Sequence, residues 1–515
     1  MDPDPATPAA TDPLPDVLVV MTDQHRAGLT RRSGYPLDTM PFTDRLAATG
    51  TDFTRAHTAN PTCVPARTSL LTGRFPSAHR VRQNSTARHA CYERDLLDVL
   101  RDAGYRLHFA GKPHIHRGPE DFDAWAGPYW HTSGPQRSEE QRRFDAWLHA
   151  LDHGPSETAT PFPLEVQLPY RIVDDAIAQL DEAPTGQPGF FWVSFPEPHN
   201  PYQVPEPYFS LFAEEDVPER ASGPEAAERK GGDHLWMRRL IESKRPGYDE
   251  RWRRYAASYL GMLRLVDDQL ERLVDAVGQR GRDTVVVLLS DHGDYVGEYG
   301  LQRKGAGLSD FLTRIPLVVA GPGVVAQQRD ELVSLVDLLP TLCELLGLDV
   351  PAGVQGRSLA PLLAGEDVPV GEFASIYAEV GFGGARYRVD EHPPLHFDYA
   401  GTTYDELNSV TMSGGQRMVR AGDWKLVVDD EGRSELYHLG DDPAELCDLS
   451  EDGEHADRLL TLTRLLAAWM IRTGDELPTG AYRPKRVPHN WRWAEHAPPG
   501  LAELVGPAYG AAPPR

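Results

Sequence analysis

Residues 16–21 of the chain, Asp16-Val-Leu-Val-Val-Met21, form a short apolar run that is rich in β-branched residues and has no polar alternation. Such a run is typical of a strand that is buried on both faces of a parallel sheet. Two further runs of the same kind occur at Gly189–Phe195 and Thr284–Ser290. Because helical patterns lie between them, the sequence predicts an α/β fold with a large, mainly parallel sheet sandwiched by helices.

Three segments between and after these runs have helical character. Residues 93–103 end before a glycine, and residues 249–278 carry apolar side chains at steps of three and four. Residues 333–346 also read as a helix, which we expect to be kinked or broken at Pro340. Helices of this length are what a parallel sheet needs to connect its strands.

The C-terminal part of the chain has a different pattern. Short strands are predicted at Gln416–Arg420, Trp424–Val428 and Glu435–His438, and a helix at about 455–472. These elements indicate a smaller α+β domain. The predicted organisation is a disordered tail at 1–15, a large α/β domain at 16–400, a small α+β subdomain at 401–480 and a C-terminal arm at 481–515.

Composition and charge exclude several classes of function. The 515-residue chain has 77 acidic and 52 basic residues and a net charge of −25, the opposite of what a nucleic-acid-binding surface requires. No apolar run reaches the roughly 20 residues that span a membrane. The N-terminus has no basic start and no apolar core, so we expect a cytoplasmic protein. The four cysteines are Cys63, Cys91, Cys343 and Cys447. Because they are far apart in the sequence, we expect neither a disulfide framework nor a zinc cluster.

The segment most informative about chemistry is Pro61-Thr-Cys-Val-Pro-Ala-Arg-Thr-Ser-Leu-Leu-Thr-Gly-Arg74. We expect Pro65 to be the first residue of a helix that ends at Gly73. Cys63 would then precede the helix, where unpaired amides and the helix dipole favour an anion, with Arg67 half a turn inside. This setting suits a nucleophile that attacks a charged ester.

Carboxylates follow two of the predicted buried strands. Asp23 comes just after the strand at 16–21, and Asp291 and His292 come just after the strand at 284–290. The carboxyl ends of parallel strands form the edge at which open α/β sheets place their ligands. Oxygen donors and an imidazole that converge on one edge are suited to a divalent cation.

Several of these motifs resemble those of one known family. The pattern Cys63-x-Pro65-x-Arg67, followed by Leu71-Thr-Gly-Arg74, resembles the signature of type I sulfatases, which have an alkaline-phosphatase-like fold. Further similar motifs, all at strand ends and in the family's order, are Gly111-Lys112-Pro-His114, Pro198-His199-Asn-Pro201, and Gly300-Leu-Gln-Arg-Lys304-Gly305 with Arg314-Ile-Pro316. The small domain resembles the family at Arg420–Val427 and Glu435–Pro443, so the similarity extends from about residue 16 to 472.

The resemblance implies a function and a cofactor. In this family the cysteine equivalent to Cys63 is converted by a formylglycine-generating enzyme to formylglycine, whose hydrate is the nucleophile that cleaves sulfate monoesters. It also implies that the modified Cys63 binds one divalent metal together with Asp23, Gln24, Asp291 and His292. Calcium is the first expectation for this metal, and manganese is the competitor because an imidazole makes the site softer.

The same resemblance implies roles for the basic residues. Arg67 and Lys112 would hold the formylglycine and the substrate oxygens. His199, aided by Lys304, would protonate the departing alkoxide, and His114 would take a proton from the remaining hydroxyl to expel sulfate. The expected substrate contacts are Asn84, Lys112, His199 and Lys304, of which Asn84 is the weakest candidate.

The sequence leaves two alternatives open. The Asp23-Gln24 and Asp291-His292 pairs resemble choline sulfatases and iduronate-type sulfatases, but also phosphonate monoester hydrolases, so a phosphonate monoester hydrolase or phosphodiesterase is the closest rival. A non-catalytic metal-binding protein on the same fold is a more remote one. In each enzymatic case the partner is a small-molecule sulfate, phosphonate or phosphate ester, and a homo-oligomer is possible.

Overall fold

A computed structural model describes residues 13–369, 371–381, 388, 390–391, 396–399, 402–405, 414–474, 500–501 and 504. Most of the expected N-terminal tail and nearly all of the expected C-terminal arm therefore lie outside the described residues. Within the described part of the chain, none of the helices has both the length and the apolar character needed to cross a bilayer.

The strands, numbered in chain order, are β1 Asp16–Asp23, β2 Thr51–Phe53, β3 Ala56–His57, β4 Arg106–Gly111, β5 Ala124–Ala126, β6 Gly189–Pro198, β7 Thr284–Ser290, β8 Arg314–Ile315, β9 Leu317–Ala320, β10 Gln327–Arg329, β11 Val333–Ser334, β12 Ser375–Val380, β13 His396–Tyr399, β14 Thr402–Asp405, β15 Gln416–Ala421, β16 Trp424–Asp429 and β17 Ser434–His438. Across the described segments, eight of them form the largest sheet, in the order β10-β2-β9-β7-β1-β6-β4-β5.

The first apolar run of the sequence becomes the centre of this sheet. β1 lies between β6 and β7 and runs parallel to both, with Val17 opposite Phe190 on one side and Leu18 opposite Val286 on the other. All eight residues of β1 are buried. The other pairs are parallel except those of β9, which is antiparallel to β2 and β7. The predicted large, mainly parallel sheet is confirmed.

The α-helices are α1 Pro41–Thr49, α2 Cys63–Thr72, α3 Pro76–His79, α4 Leu96–Asp102, α5 Glu139–Ala150, α6 Leu168–Glu182, α7 Pro224–Lys230, α8 Gly232–Lys244, α9 Trp252–Gln279, α10 Asp310–Thr313, α11 Leu338–Leu345, α12 Ala360–Leu363 and α13 Ala456–Gly474. They cover both faces of the sheet. Successive residues of β1 therefore pack alternately into two hydrophobic cores, one on each face. Leu18 and Val20 pack in the core that includes residues of α6 and α9. Val17 and Val19 pack in the core that includes residues of α2, α4 and α11.

A small antiparallel sheet in the order β12-β15-β16-β17 forms the predicted C-terminal domain, with α13 packed on it. Its extent differs from the expected boundary at residue 400. Strand β12 precedes that boundary, yet it pairs with β15 from Ser375 opposite Ala421 to Val380 opposite Gln416. The pairing satisfies the main-chain groups along one edge of β15, a long-range requirement that local sequence patterns do not reveal.

Three predicted helices begin later or earlier than expected. The segment 333–346 is not one kinked helix: it comprises β11, a 3-10 turn at Leu335–Asp337 and α11, because the Asp337 carboxylate accepts a hydrogen bond from the Ser334 amide and ends the extended segment there. Pro340 lies in the first turn of α11, where it causes no kink. Helix α4 begins only at Leu96, after the cap Asp95, and α2 already begins at Cys63, two residues before Pro65.

Candidate active site

The carboxyl ends of two neighbouring strands bring the predicted metal ligands together. β1 ends at Asp23, and Asp291 and His292 directly follow β7, which pairs with β1. The Nε2 atom of His292 lies 3.9 Å from Asp23 Oδ1 and 3.7 Å from Asp291 Oδ1. All three side chains are fully buried. Two segments about 270 positions apart in the sequence thus converge at one edge of the sheet, as predicted.

Cys63 joins this cluster as the first residue of α2. Its Sγ lies 3.3 Å from His292 Nε2 and 3.7 Å from Asp23 Oδ1, and the residue is 1% exposed. Ligand atoms of Cys63, Asp23, Asp291 and His292 all lie within 4.8 Å of one another. Burial and Asp23 raise the pKa of the thiol, but the positive charges of Lys304 and Lys112 outweigh them, so the pKa is lowered overall. The site therefore favours an anionic or electron-rich group at this position.

Arg67, one turn into α2, holds both carboxylates in place. Its Nε donates to Asp291 Oδ2 at 2.8 Å, and one terminal nitrogen donates to Asp23 Oδ2 at 3.1 Å. The other terminal nitrogen donates to Ser194 Oγ at 2.7 Å and to the Lys112 carbonyl at 3.0 Å. The guanidinium is fully buried. Helix α2 is thereby connected to β6 and to the carboxyl ends of β1, β4 and β7.

Lys112 reaches the site from the end of β4. Its Nζ lies 2.7 Å from Asp23 Oδ2, with both side chains fully buried. Burial raises the pKa of Asp23, but Lys112 and the neighbouring cations lower it well below its ordinary value. The preceding residue, Gly111, has a φ of 124°, and a β-carbon there would lie 1.9 Å from the Ser194 carbonyl oxygen. Only glycine allows β4 to approach β6 this closely and so place Lys112 beside Asp23.

Gln24 and Lys304 form a second contact pair at the same edge. The backbone N–H of Gln24 donates to Asp291 Oδ1 at 3.1 Å. Its side-chain Nε2 donates to Asp294 Oδ2 at 2.7 Å, and its Oε1 accepts from Lys304 Nζ at 3.1 Å. Gln24 therefore positions Lys304 next to the cluster. Metal ligation by its Oε1 stays a prediction.

The two predicted proton carriers have distinct environments. His199 donates from Nδ1 to the Asn200 carbonyl at 2.8 Å, which leaves Nε2 as the nitrogen available to a substrate. The Nδ1 atom of His114 is buried and has no hydrogen-bond partner among the described residues. Burial, together with Lys112 and Lys304, lowers the pKa of both imidazoles well below the ordinary value. Both rings are therefore neutral at pH 7 when no anion is bound.

Asn84 occupies a different position from the other predicted substrate contacts. Its Oδ1 accepts a hydrogen bond from the Val64 amide at 3.0 Å. Since Val64 is the second residue of α2, Asn84 satisfies one of the free amides at the start of the nucleophile helix. A direct contact with substrate oxygens stays a prediction.

Sequence reasoning missed Asp294, which organises the second contact pair. Its Oδ2 accepts from Gln24 Nε2 and from the Tyr202 hydroxyl at 2.7 Å, while its Oδ1 accepts from the Arg303 amide at 2.9 Å. Arg303 precedes Lys304, so Asp294 supports the lysine segment through its backbone. The position of Asp294 just three residues after Asp291 is the signal that could have suggested this role.

Sequence reasoning also missed a turn with aromatic side chains that lies beside His114 and His199. The ring of Trp130 lies 5.1 Å from that of His114, and the ring of His131 lies 4.8 Å from that of His199. The turn is closed by a hydrogen bond from the Trp130 amide to the Ser133 carbonyl at 2.7 Å. Trp130 and His131 therefore place aromatic rings next to both predicted proton carriers. The segment has no periodicity in the sequence that could have placed it there.

The donor set fits one divalent cation. His292 Nδ1 donates to the Gly293 carbonyl at 2.9 Å, so Nε2 keeps its lone pair for a metal. Arg67 and Lys112 contact the Oδ2 atoms of the two aspartates, whereas the Oδ1 atoms are the ones near His292. Separations below 4.8 Å allow a single ion at metal–ligand distances of about 2.0–2.6 Å. Two carboxylates, an imidazole and the Cys63 side chain are thus arranged as a mononuclear site.

Comparison with known proteins identifies the family. The sequence profile of the sulfatase family matches residues 15–348. An uncharacterized sulfatase, YidJ of Escherichia coli strain K12, is 28% identical over 496 residues, covering 93% of this chain and 92% of that protein. A choline-sulfatase of Rhizobium meliloti is 26% identical over 471 residues, covering 87% and 85% respectively.

The fold is also similar to that of solved structures. The phosphonate monoester hydrolase of Agrobacterium radiobacter superposes with a TM-score of 0.71 at 24% identity, over 89% of this chain and 96% of that one. At this identity the match speaks for the fold alone. The family profile spans the nucleophile segment and both carboxylate strands of the cluster described above. The chain therefore belongs to the sulfatase family, hydrolases of sulfate esters within the alkaline-phosphatase-like superfamily.

Proposed function

We propose that this chain hydrolyses sulfate monoesters of small molecules through a formylglycine derived from Cys63 and one divalent metal ion. The observation that carries the proposal is the position of Cys63 Sγ, 3.3 Å from His292 Nε2 and 3.7 Å from Asp23 Oδ1, at the first residue of a helix. A thiol-derived group at this point lies among the candidate metal ligands and beside the helix amides that favour negative charge.

The cations around Cys63 account for binding and stabilisation of the reacting group. When bound, the hydrated formylglycine would supply the nucleophilic hydroxyl and the metal would supply positive charge. Arg67, Lys112 and Lys304 are buried and held in place by the contacts described above. Preorganised positive charge in a site that excludes water stabilises the charge that develops on sulfate oxygens, at no cost of reorganisation.

His199 and His114 account for the proton transfers. A neutral His199 cannot donate a proton, but a bound sulfate ester brings negative charge that favours the imidazolium form. Protonated His199 then donates from Nε2 to the departing oxygen, with Lys304 nearby to limit the charge that the leaving group accumulates. His114, neutral by burial, is suited to accept a proton in the step that releases sulfate.

Calcium is our proposal for the metal, with manganese as the alternative. Carboxylate oxygens are the ligands that calcium prefers, and Asp23 and Asp291 supply them. The imidazole of His292 makes the site softer than one built from oxygen ligands alone. This softer character favours manganese more than calcium. Metal analysis of the purified protein decides between them.

A phosphonate monoester hydrolase is the second candidate, and the charge balance of the site favours it as much as the first. Three buried cations, Arg67, Lys112 and Lys304, surround the two carboxylates Asp23 and Asp291, and a divalent metal bound there would add to the excess of positive charge. Sulfate monoesters and phosphonate monoesters are both tetrahedral monoanions, so this excess suits either substrate. Parallel rates on an aryl sulfate and an aryl phosphonate distinguish them.

The proposal is tested by the mass of the tryptic peptide Ala56–Arg67 and by hydrolysis of an aryl sulfate. We expect a peptide lighter than the encoded one, and loss of hydrolysis in Cys63→Ala. Cys343→Ala is the matched control, because Cys343 is equally buried but lies in the hydrophobic core away from the ligands. Undiminished hydrolysis by Cys63→Ala would overturn the assignment of the nucleophile, and much faster phosphonate turnover would overturn the choice of substrate.

A further inference from the structure

A second charged cavity lies outside the site described above. Its volume is about 260 Å³, and the four arginines in its lining are Arg26, Arg55, Arg314 and Arg420, which share it with Asp310. None of the predicted catalytic or metal-binding residues is part of its lining. The arginines come from different parts of the fold: the turn after β1, the segment between β2 and β3, strand β8 and, from the small domain, strand β15.

The carboxylates around this cavity are too few to neutralise its guanidinium groups. Asp310 is shared by two arginines, at 2.9 Å from Arg420 and 3.6 Å from Arg314. Glu298 pairs with Arg26, and Asp423 pairs with Arg55. Within the described part of the chain, three carboxylates thus face four guanidinium groups at this cavity. One positive charge is left in excess, in a protein whose net charge is −25.

Two of the arginines are also held loosely by the protein. Among the described residues, the shortest polar contact of the Arg26 guanidinium is the one to Glu298 at 3.3 Å, and that of the Arg314 guanidinium is the one to the Thr54 carbonyl at 3.4 Å. Both distances exceed those of strong N–H···O hydrogen bonds, whereas Arg67 makes contacts of 2.7 to 3.1 Å in the active site. A guanidinium has five donors, so Arg26 and Arg314 retain capacity for a further acceptor.

The positions of these side chains are nevertheless defined. The Arg26 guanidinium stacks over the Phe311 ring at 4.3 Å from its centroid. Burial lowers the pKa of Arg314, Asp310 opposes this effect, and the charges of Arg420, Arg26 and Arg55 lower it further. The four guanidinium groups therefore act on one another within one small volume, an arrangement that an anion between them would stabilise.

We propose that this cavity is a second binding site for a tetrahedral oxyanion, sulfate or phosphate, either free in solution or carried by a larger molecule. The planar fork of a guanidinium matches the oxygens of such groups and binds them bidentately. The volume accommodates an oxyanion with some bound water, since a water molecule takes about 30 Å³. The proposal does not depend on which ester the catalytic centre hydrolyses.

The direct test is a crystal of the metal-loaded enzyme soaked in selenate, an analogue of sulfate whose anomalous scattering identifies its position. We expect one selenate near Cys63 and a second in the arginine-lined cavity. The variant Arg314→Gln should lose the second ion and keep the first. Arg32→Gln is the matched control, because Arg32 is similarly exposed and also ion-paired, with Asp52, but does not line the cavity. It should keep both ions.

Solution measurements provide a second readout and a second variant. Titration of the same enzyme with inorganic phosphate should show a binding event that weakens about 10- to 100-fold in Arg314→Gln, the loss expected for a charged hydrogen bond. Arg55→Gln, which removes a side chain paired only with Asp423 in the described structure, should weaken it in the same direction, even if Arg314→Gln does not fold. Absence of selenate from the wild-type cavity, or binding unchanged in both variants, would refute the proposal.

Steady-state kinetics distinguish a free anion from one that is carried by the substrate. If the site takes a group carried by the substrate, Arg314→Gln should raise KM for a disulfated substrate but not for its monosulfated counterpart. If it takes a free ion, KM should be unchanged for both substrates while the cavity selenate is still lost. Both outcomes support an oxyanion site, and they separate its two possible occupants.

Discussion

Arg67 connects helix α2 to Asp23 and Asp291, the two candidate metal ligands, and this arrangement depends on the forked guanidinium group. We predict that Arg67→Lys lowers kcat/KM by about 10²–10³-fold, because a single ammonium cannot contact Asp23, Asp291 and Ser194 at once. The unfolding free energy should fall by about 1–3 kcal/mol, as buried acceptors are left unpaired. Steady-state kinetics and urea denaturation measure the two effects.

A matched control separates catalysis from stability in this experiment. Arg171 is also buried and contacts Asp145 at 2.8 Å, but it lies in α6, and its hydrogen bonds go to Asp145 and Pro135 rather than to the candidate metal ligands. Arg171→Lys should lose a similar amount of stability with little change in kcat/KM. Equal losses of kcat/KM in the two variants would mean that Arg67 has only a structural role.

The role of His199 can be tested by changing the leaving group. We predict that His199→Ala lowers kcat strongly for an alkyl sulfate and much less for a nitrophenyl sulfate, whose leaving group needs no proton. General acid catalysis contributes about 10²–10⁴-fold, so the alkyl substrate should lose an amount in this range. The ratio of the two kcat values is the measurement. Equal losses for both substrates would argue against proton donation by His199.

The site residues that could be predicted from the sequence share a simple local context. Asp23 ends a buried strand, Lys112 and Asp291 each directly follow a strand, and parallel strands bring such residues to one edge. The contacts of Gln24 with Asp294 and Lys304 could not be predicted, because they depend on the path of a loop. Trp130 and His131 lie in an irregular turn whose position is determined by tertiary packing alone.

At the scale of secondary-structure elements, Asp95 links a helix to the loop that carries two site residues. Its carboxylate caps α4 through the Leu97 and Asp98 amides. It also contacts Arg117 at 2.8 Å and His116 at 3.0 Å, just after the Gly-Lys-Pro-His segment. The start of α4 and the path of this loop are therefore stabilised by one buried carboxylate.

Asp95→Asn keeps a cap acceptor but removes the charge, so we predict a loss of about 1–3 kcal/mol at pH 7. Burial raises the pKa of Asp95, but hydrogen bonds from His116 and Arg117 lower it further, so its folded-state pKa is depressed. The charge therefore contributes stability above pH ~3.9, and this contribution is lost as the pH falls below that value. Urea denaturation between pH 3 and 7 should show the wild type and Asp95→Asn converging in acid.

The control for this prediction is an exposed ion pair. Glu139→Gln removes the surface contact with Arg142 and should change stability by less than about 0.5 kcal/mol at any pH. A constant difference between wild type and Asp95→Asn across the pH range would show that the carboxylate charge does not contribute.

Element boundaries were predicted less well than element types, and the reasons are physical. Sequence periodicity locates the apolar face of α9, but it does not reveal that Asp95 caps α4 or that the segment 333–346 begins as a strand. Strand β12 was missed because its partner β15 lies at least 36 positions further along the sequence, from Val380 to Gln416. Side-chain caps and non-local pairing decide such boundaries.

For the molecule as a whole, bound metal should act as a major source of stability. Asp23 and Asp291 lie side by side in the core, and a cation that binds only the folded state stabilises it by about 2.7 kcal/mol at a concentration one hundred times its Kd. We predict that dialysis against a chelator abolishes hydrolysis and lowers Tm, and that calcium restores both. Elemental analysis should find one ion per chain. Full activity and an unchanged Tm after removal of the metal would contradict the proposed centre.

The broad architecture was predictable because the apolar runs at 16–21, 189–195 and 284–290 become three neighbouring strands, β1, β6 and β7, at the centre of the sheet. The antiparallel direction of strand β9 could not be predicted, since a run of four apolar residues carries no information about strand direction. Cytoplasmic location and a homo-oligomeric state stay predictions. So does the C-terminal arm, which is almost entirely outside the described residues.

The central position of β1 has a consequence for synthesis on the ribosome. β1 cannot complete its pairing until β7 has been made, and Ser290 at the end of β7 lies 227 positions after Cys63 (290 − 63). At about 5–20 residues per second, the nascent chain presents an unburied Cys63 for roughly 10 to 45 s. If Cys63 is converted as we propose, an oxidising enzyme would have access to the thiol during that interval, because the folded sheet buries the side chain against His292.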